Sequence, residues 1–157
     1  MKRWICLYIA SLLICLQCSL SVSADSNAKK IAEEICQSIP SEFGYVDNTE
    51  YQLKCYFSPS SFFDDCCIMI NSDSTNFDEI GVFYVESQQD IKLCEKQVKQ
   101  YLKDARERFM NGVIYNVKEY PKFEKATTIT IDHYVIYLIL SEKQQKDIIE
   151  TLKNSIR

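Results

Sequence analysis

Three stretches of the chain repeat apolar residues at three- and four-residue steps, which is the spacing of an amphipathic helix. The first extends from Ser26 to Pro40, and the longest covers residues 88–110, with Lys, Arg, Glu and Gln between the apolar positions. The third follows residues 141–144 (SEKQ), a capping-box sequence, and continues to Ile156. The pattern predicts an opening helix, a long middle helix and a closing helix, with a further short helix over residues 49–57.

Between these helices, short runs of β-branched and aromatic residues predict strands. Residues 65–71 (DCCIMIN) and 79–86 (EIGVFYVE) are separated by a short polar loop, which favours an antiparallel pair. Residues 126–141 form two strands broken at Asp132-His133, and the second of them, 134–140, is apolar throughout and is expected to be central. Residues 41–49 are polar and are interpreted as a loop.

The order of these elements predicts an α+β fold. After the opening helix, the β-β-α-β-β-α order favours a two-layer sandwich, in which helices 88–110 and 142–156 cover one face of a four-stranded antiparallel sheet. A charge at Leu102, as in Leu102→Asp, is expected to unfold the domain. The predicted core consists of Val82, Tyr84, Ile91, Val98, Leu102, Phe109, Ile136, Leu138, Ile149 and Leu152.

The start of the chain has the form of an export signal. A basic start (Met1-Lys2-Arg3) precedes an apolar run over residues 4–16, and small residues end the segment at Ala24. We therefore expect a cleaved signal peptide at residues 1–24 and a single domain at residues 25–157 that is secreted or extracytoplasmic. An uncleaved membrane anchor is the alternative.

Composition narrows the class of protein and of partner. The chain is 46% apolar and 12% aromatic, which excludes a disordered protein. Its net charge is −4, and the leader takes away basic residues only, so nucleic acid and anionic membrane surfaces are disfavoured as partners. Membrane contact is expected only transiently, through the leader.

The chain has eight cysteines, a number that would suit a disulfide scaffold, but not all of them belong to the domain. Three lie in the leader, which leaves an odd number and at most two disulfides. Cys66 and Cys67 are neighbours in a predicted strand and should point to opposite faces. They are interpreted as small buried residues, with thiol redox chemistry as the alternative. The pairing stays open among Cys36, Cys55, Cys66, Cys67 and Cys94.

Few residue patterns suggest chemistry. Asp78 and Glu79 are adjacent carboxylates at the start of a strand, and hydrolysis would require two carboxyls facing one bond. Arg106 and Arg108 lie near the end of the long helix, where they complement its dipole or bind an anion. His133, the one histidine, is expected to be an exposed turn residue. No pattern predicts a metal or a cofactor.

The mature chain resembles domain-of-unknown-function family 4358, whose members are mostly short exported proteins or lipoproteins of Gram-positive bacteria. The resemblance lies in the opening IAEEI helix, the Asp78-Glu79-Ile80 strand start, the long charged helix, the loop 115–120 and the Glu124-Lys125-Ala126 hairpin start. Val117 stands where the family usually has Pro. The family carries no assigned activity. The resemblance implies ligand-binding positions at Asp78, Glu79, Arg106, Arg108 and Tyr115.

These observations favour an exported, non-catalytic binding or accessory module at the cell surface or wall, with a cell-wall or protein partner. This hypothesis rests on the export leader together with the lack of a recognisable catalytic motif. Two alternatives stay open at this point: a small extracellular hydrolase that uses Asp78 and Glu79, and a thiol redox protein that uses Cys66 and Cys67.

Overall fold

A computed structural model of the chain describes residues 27–57, 62–112 and 116–155. The expected signal peptide and Tyr115 lie outside these residues. A short 3₁₀ turn at Val117–Glu119 precedes the fourth helix. In chain order the helices and strands are α1 (Asn27–Ser38), β1 (Tyr45–Asp47), α2 (Thr49–Tyr56), β2 (Asp65–Asn71), β3 (Glu79–Tyr84), α3 (Gln88–Asn111), α4 (Tyr120–Glu124), β4 (Thr127–Ile131), β5 (Tyr134–Ile139) and α5 (Glu142–Ser155).

The fold is α+β, as predicted, but the sheet has five antiparallel strands where four were expected. Their order is β1-β2-β3-β5-β4, so β5 is an inner strand, as its apolar sequence indicates. The additional strand, β1, lies in the segment expected to be a loop and pairs with β2 from Tyr45 opposite Asn71. Three residues are too few to show an alternating pattern, so no strand was expected in this segment.

The helices cover both faces of the sheet, so the predicted two-layer arrangement with helices on one face is wrong. Buried residues of α1 and α5 pack with Val82 and Ile136 on what we call the α1/α5 face. Buried residues of α3, together with residues of and next to α2, pack with Phe83 and Tyr137 on the α2/α3 face. Consecutive strand residues point to opposite faces, so strands buried on both sides are apolar at nearly every position.

Seven of the ten predicted core residues are buried. Six of them are divided between the two faces, and the seventh, Phe109, packs against Phe77 and Phe123. Tyr84, Leu102 and Ile149 are only partly buried. Leu102 packs at the margin of the α2/α3 face, so Val98, which is fully buried, is the more sensitive position for a charge.

Both long predicted helices are confirmed. The middle helix is α3, and the closing helix α5 begins with the predicted capping box, in which the Ser141 amide donates to Gln144 Oε1 at 3.1 Å and the Gln144 amide donates to Ser141 Oγ at 3.4 Å. None of the helices in the described ranges is both long enough and apolar enough to cross a membrane.

Candidate functional site

Asp78 and Glu79 lie at the end of the sheet where β3 begins, and their side chains bind partners on opposite faces. The Asp78 carboxylate accepts a hydrogen bond from Tyr45, which packs against the α1/α5 face. The Glu79 carboxyl accepts from Tyr101 and Tyr137, both in the core of the α2/α3 face. Adjacent strand positions alternate in this way. The two carboxyls are therefore held by different sets of partners.

Glu79 is held by side chains from three other elements. The Tyr101 hydroxyl of α3 and the Tyr137 hydroxyl of β5 each donate to Glu79 Oε1 at 2.5 Å. Gln52 Nε2 of α2 is 3.5 Å from Glu79 Oε2, and Gln52 Oε1 accepts from the Tyr101 hydroxyl at 3.2 Å. We refer to these four residues as the Glu79 cluster.

Burial dominates the electrostatics of the Glu79 cluster. Loss of solvent raises the pKa of Glu79, against the opposing effect of the two tyrosine hydrogen bonds and of the Arg108 charge. The same burial, together with the Glu79 charge, raises the pKa of Tyr101 and of Tyr137. Both tyrosines thus remain hydrogen-bond donors to the carboxyl across the physiological pH range.

Of the two candidate arginines, the structure places Arg108 beside the Glu79 cluster. Its guanidinium carbon lies 4.0 Å from the centroid of the Tyr56 ring and 5.6 Å from that of Tyr101. Arg108 follows Tyr101 by seven residues and so lies on the same side of α3. Arg106 is exposed on another side of the helix and does not join this group.

Asp78 belongs to a second polar group, centred on Lys122 of α4. The Lys122 ammonium donates to Asp78 Oδ1 and Glu119 Oε2 at 2.6 Å each, and to Asn76 Oδ1 at 2.8 Å. The Tyr45 hydroxyl donates to Asp78 Oδ2 at 3.0 Å. Burial and the adjacent Asp78 charge raise the pKa of Tyr45. All three donors of Lys122 are used within the protein, and its single positive charge is shared between Asp78 and Glu119.

A cavity of about 230 Å³ lies beside both groups. Most of its lining residues are polar, and Gln52, Asn71 and Asp78 are buried among them. Phe77 and Phe123 provide its apolar part, with ring centroids 6.1 Å apart. The space accommodates a small molecule or one side chain of a partner, not an extended substrate.

Cys66 and Cys67 point to opposite faces of β2, as predicted. Cys67 is part of the α1/α5 core, whereas Cys66 packs against the α2/α3 core. Burial raises the pKa of Cys66 to about 12 and that of Cys67 to about 11. Thiols with such pKa values carry almost no thiolate at neutral pH, and the thiolate is the reactive form.

His133 lies in the turn between β4 and β5 but is only partly exposed, because its ring Nδ1 is 2.8 Å from the Val85 carbonyl oxygen. Across residues 27–57, 62–112 and 116–155, no three His, Cys, Asp or Glu side chains are grouped so that they would hold a metal ion.

The sequence patterns missed the partners of Asp78 and Glu79. Tyr101, Lys122 and Tyr137 are 22, 44 and 58 residues away from the carboxylates that they bind. One signal was present: a tyrosine inside an otherwise apolar strand or helix stripe must find a partner for its hydroxyl, and Tyr101 and Tyr137 are both such residues.

No curated protein and no solved structure matches the chain at a significant level. A family match covers residues 46–140, from within β1 to just after β5. The matched segment contains the Glu79 cluster, Arg108, Asp78 and Lys122, whereas α1 and α5 lie outside it. Because the match spans more than half of the chain, the protein belongs to DUF4358, a family defined by a domain of unknown function.

Proposed function

We propose that the protein is an exported, non-catalytic binding module that acts at the cell surface or in the cell wall. The observation that carries the proposal is that both candidate carboxyls are held by hydrogen bonds within the protein. Asp78 is bound by Lys122 and Tyr45, and Glu79 by Tyr101 and Tyr137. A general acid or base must reach a substrate proton, and both Asp78 oxygens and Glu79 Oε1 are already engaged within the protein.

The cavity beside Asp78 and Glu79 is the proposed binding site. Its polar wall is held in place by hydrogen bonds before any ligand arrives: Asn71 Nδ2 donates to Ser41 Oγ at 3.0 Å, and the Asp73 amide donates to Asn71 Oδ1 at 2.9 Å. Preformed sites of this kind lose little free energy to ordering when they bind.

Co-sedimentation with purified peptidoglycan sacculi tests the proposal. Ser74 is exposed and lines the cavity, so Ser74→Trp should block the cavity and reduce binding while the fold is retained. Lys153→Trp places the same side chain on an exposed position of α5 and should leave binding unchanged. Equal binding of sacculi by the two variants would show that the cavity is not the binding site.

The same preparation separates binding from hydrolysis. We expect no release of soluble fragments from the sacculi above the level of a protein-free control. Fragment release that disappears in both Asp78→Asn and Glu79→Gln would instead identify a hydrolase.

Export has its own test. The protein recovered outside the cell is expected to begin at Asp25, which intact-mass measurement would detect. Recovery of the full-length chain as a soluble cytosolic species would contradict this part of the proposal.

A further inference from the structure

The exposed side of α3 carries a row of positive charges that the cavity site does not use. Every third or fourth residue along this side is basic, and each of these residues is exposed. Since a helix rises 1.5 Å per residue, the row is about 21 Å long, with a charge roughly every 5 Å. We call this set the α3 basic row, and it consists of Lys92, Lys96, Lys99, Lys103 and Arg106.

Exposure to solvent alone does not account for such a row. Exposed helices gain stability from opposite charges four residues apart, and like charges at that spacing destabilise them. Lys92 and Lys96 form a like-charged pair of this kind, as do Lys99 and Lys103. These like-charged pairs repel each other within the row, and a negative partner would relieve that repulsion.

Acidic neighbours only partly neutralise the row. Glu95 Oε2 is 3.4 Å from the Lys99 ammonium, and Glu107 Oε1 is 3.9 Å from that of Lys103. Both lysine side chains remain about 60% exposed, and exposed pairs of this type are weak and screened by salt. Glu95 also accepts a hydrogen bond from Thr130, which gives it a second partner. The lysines of the row therefore remain open to an external anion.

A single extended chain fits this surface better than a flat membrane does. The apolar side of α3 is buried in the core, so the helix has no apolar face to insert among lipids. Asp104 and Glu107 flank the row, and a flat anionic surface would meet them together with the lysines. A narrow polymer lying along the row would meet fewer of these carboxylates.

We infer that the α3 basic row binds a linear, phosphate-bearing polymer in an extended form. The inference rests on the proposed binding function and names the chemistry of its partner. Lysine predominates in the row, and its compact ammonium binds phosphate groups as a point charge. Because the chain as a whole carries a net charge of −4, attraction is confined to the row and should fall steeply with salt.

Fluorescence anisotropy with labelled linear inorganic polyphosphate tests the inference on the exported protein at low ionic strength. A row variant with three neutralised lysines should bind at least ~10-fold more weakly, with a smaller dependence on salt, because fewer phosphates are neutralised. Its substitutions are Lys92→Gln, Lys96→Gln and Lys99→Gln.

A matched control variant carries the same change of charge on the opposite face of the protein, at exposed positions of α1 and α5. It should bind polyphosphate like the unaltered protein, and circular dichroism should show that both variants are folded. Equal weakening in the two variants would overturn the inference, since it would reflect net charge alone. The control substitutions are Lys30→Gln, Lys143→Gln and Lys153→Gln.

Poly-glutamate and phosphatidylglycerol vesicles test whether the partner carries phosphate and whether it is an extended chain. Poly-glutamate binding as strong as polyphosphate binding would overturn the assignment to phosphate. Row-dependent binding to phosphatidylglycerol vesicles without polyphosphate binding would overturn the extended-chain partner in favour of a membrane.

The cavity variant separates this inference from the proposed function. Ser74→Trp should retain full polyphosphate binding, because Ser74 is outside α3 and the row is intact. If the protein binds sacculi but the row variant and the control variant bind polyphosphate equally, the inference fails and the binding function stands. If row-dependent polyphosphate binding is found with no binding to sacculi, the row is supported and the wall-binding function fails.

Discussion

The ring of Tyr137 occupies the space that a side chain at Gly81 would need. A Cβ atom on Gly81 would lie 2.0 Å from Cε1 and 2.5 Å from Cζ of that ring. The two residues are directly opposite each other in the antiparallel pair formed by β3 and β5. Because position 81 has no side chain, the Tyr137 ring extends over it and its hydroxyl reaches Glu79, two residues away on the same face. Gly81 is therefore part of what assembles the Glu79 cluster.

Gly81→Ala is expected to destabilise the protein by about 1–3 kcal/mol or more, because the added methyl group overlaps a fully buried ring. Urea unfolding measures the change. Gly44→Ala is the control for backbone strain without overlap, since Gly44 has φ +73° and nothing within 4 Å of an added Cβ. If overlap with the ring is the cause, Gly81→Ala should cost much less in a Tyr137→Leu background, whereas additive costs would contradict it.

Glu79→Gln is expected to become progressively more favourable, relative to the unaltered protein, as the pH rises above about 4.5. Burial raises the pKa of Glu79 in the folded state above its ordinary value of 4.5. Between these two values the folded protein binds the proton more tightly than the unfolded chain, so stability falls as pH rises through this window. Glutamine has the same shape and no such titration. Unfolding midpoints measured for both proteins between pH 4 and 8 give the difference, which amounts to about 1.4 kcal/mol for each unit of pKa shift.

Glu142→Gln supplies the contrast, because its titration has the opposite sign. Hydrogen bonds from Lys125 and Lys146 lower the pKa of Glu142 to about 2. The contribution of Glu142 to the stability of the folded protein is present above pH 4.5 and is lost as the pH falls toward 2.

The outcome that would contradict the Glu79 prediction is a difference in stability between Glu79→Gln and the unaltered protein that does not change with pH. It would show that Glu79 is not shielded from solvent.

Local patterns predicted most of the helices and strands, because these elements depend on the spacing of neighbouring residues. The same patterns carry no information about how the elements pack. The boundaries of β2 agree with the prediction, and α3 ends one residue later than expected. Periodicity identifies which residues are buried but not which side of the sheet a helix covers. The apolar sequences of β2, β3 and β5 indicated that helices pack on both faces of the sheet, since a strand with no polar side is buried on both sides.

The candidate site was predictable only in part, for the same reason. Asp78 and Glu79 are recognisable in the sequence as adjacent carboxylates, but the side chains that bind them come from elements far away along the chain. The selection of Arg108 over Arg106 depends on which side of α3 meets Tyr56, a contact between residues far apart in sequence. Long-range contacts of this type leave no local spacing to detect.

Lys122→Met is expected to destabilise the protein by about 3–5 kcal/mol, because it leaves the Asp78 carboxylate buried without its cation. The Asp78 side chain is 4% exposed and that of Lys122 is 15% exposed. Thermal or urea unfolding measures the loss.

Two further variants separate loss of the ion pair from loss of a lysine. Lys125→Met removes a pair with Glu142 in which both side chains are about half exposed, and it should cost far less than Lys122→Met. Adding Asp78→Asn to Lys122→Met should restore part of the stability by removing the unpaired charge. If the two single lysine variants were equally stable, the buried pair would have no special role.

The alkylation rates of the cysteines test the remaining alternative, thiol redox chemistry at Cys66 and Cys67. Both pKa values are raised by burial, to about 12 and about 11, so at pH 8 the thiolate fraction is minute and iodoacetamide should label neither residue in the folded protein. Cys55 is exposed and should be the first of the described thiols to react, which gives an internal positive control. Peptide mass spectrometry after timed labelling, with and without denaturant, resolves the residues. Labelling of Cys66 or Cys67 as fast as Cys55 in the folded state would reopen the redox reading, since it would require a thiol that opens to solvent without unfolding of the sheet.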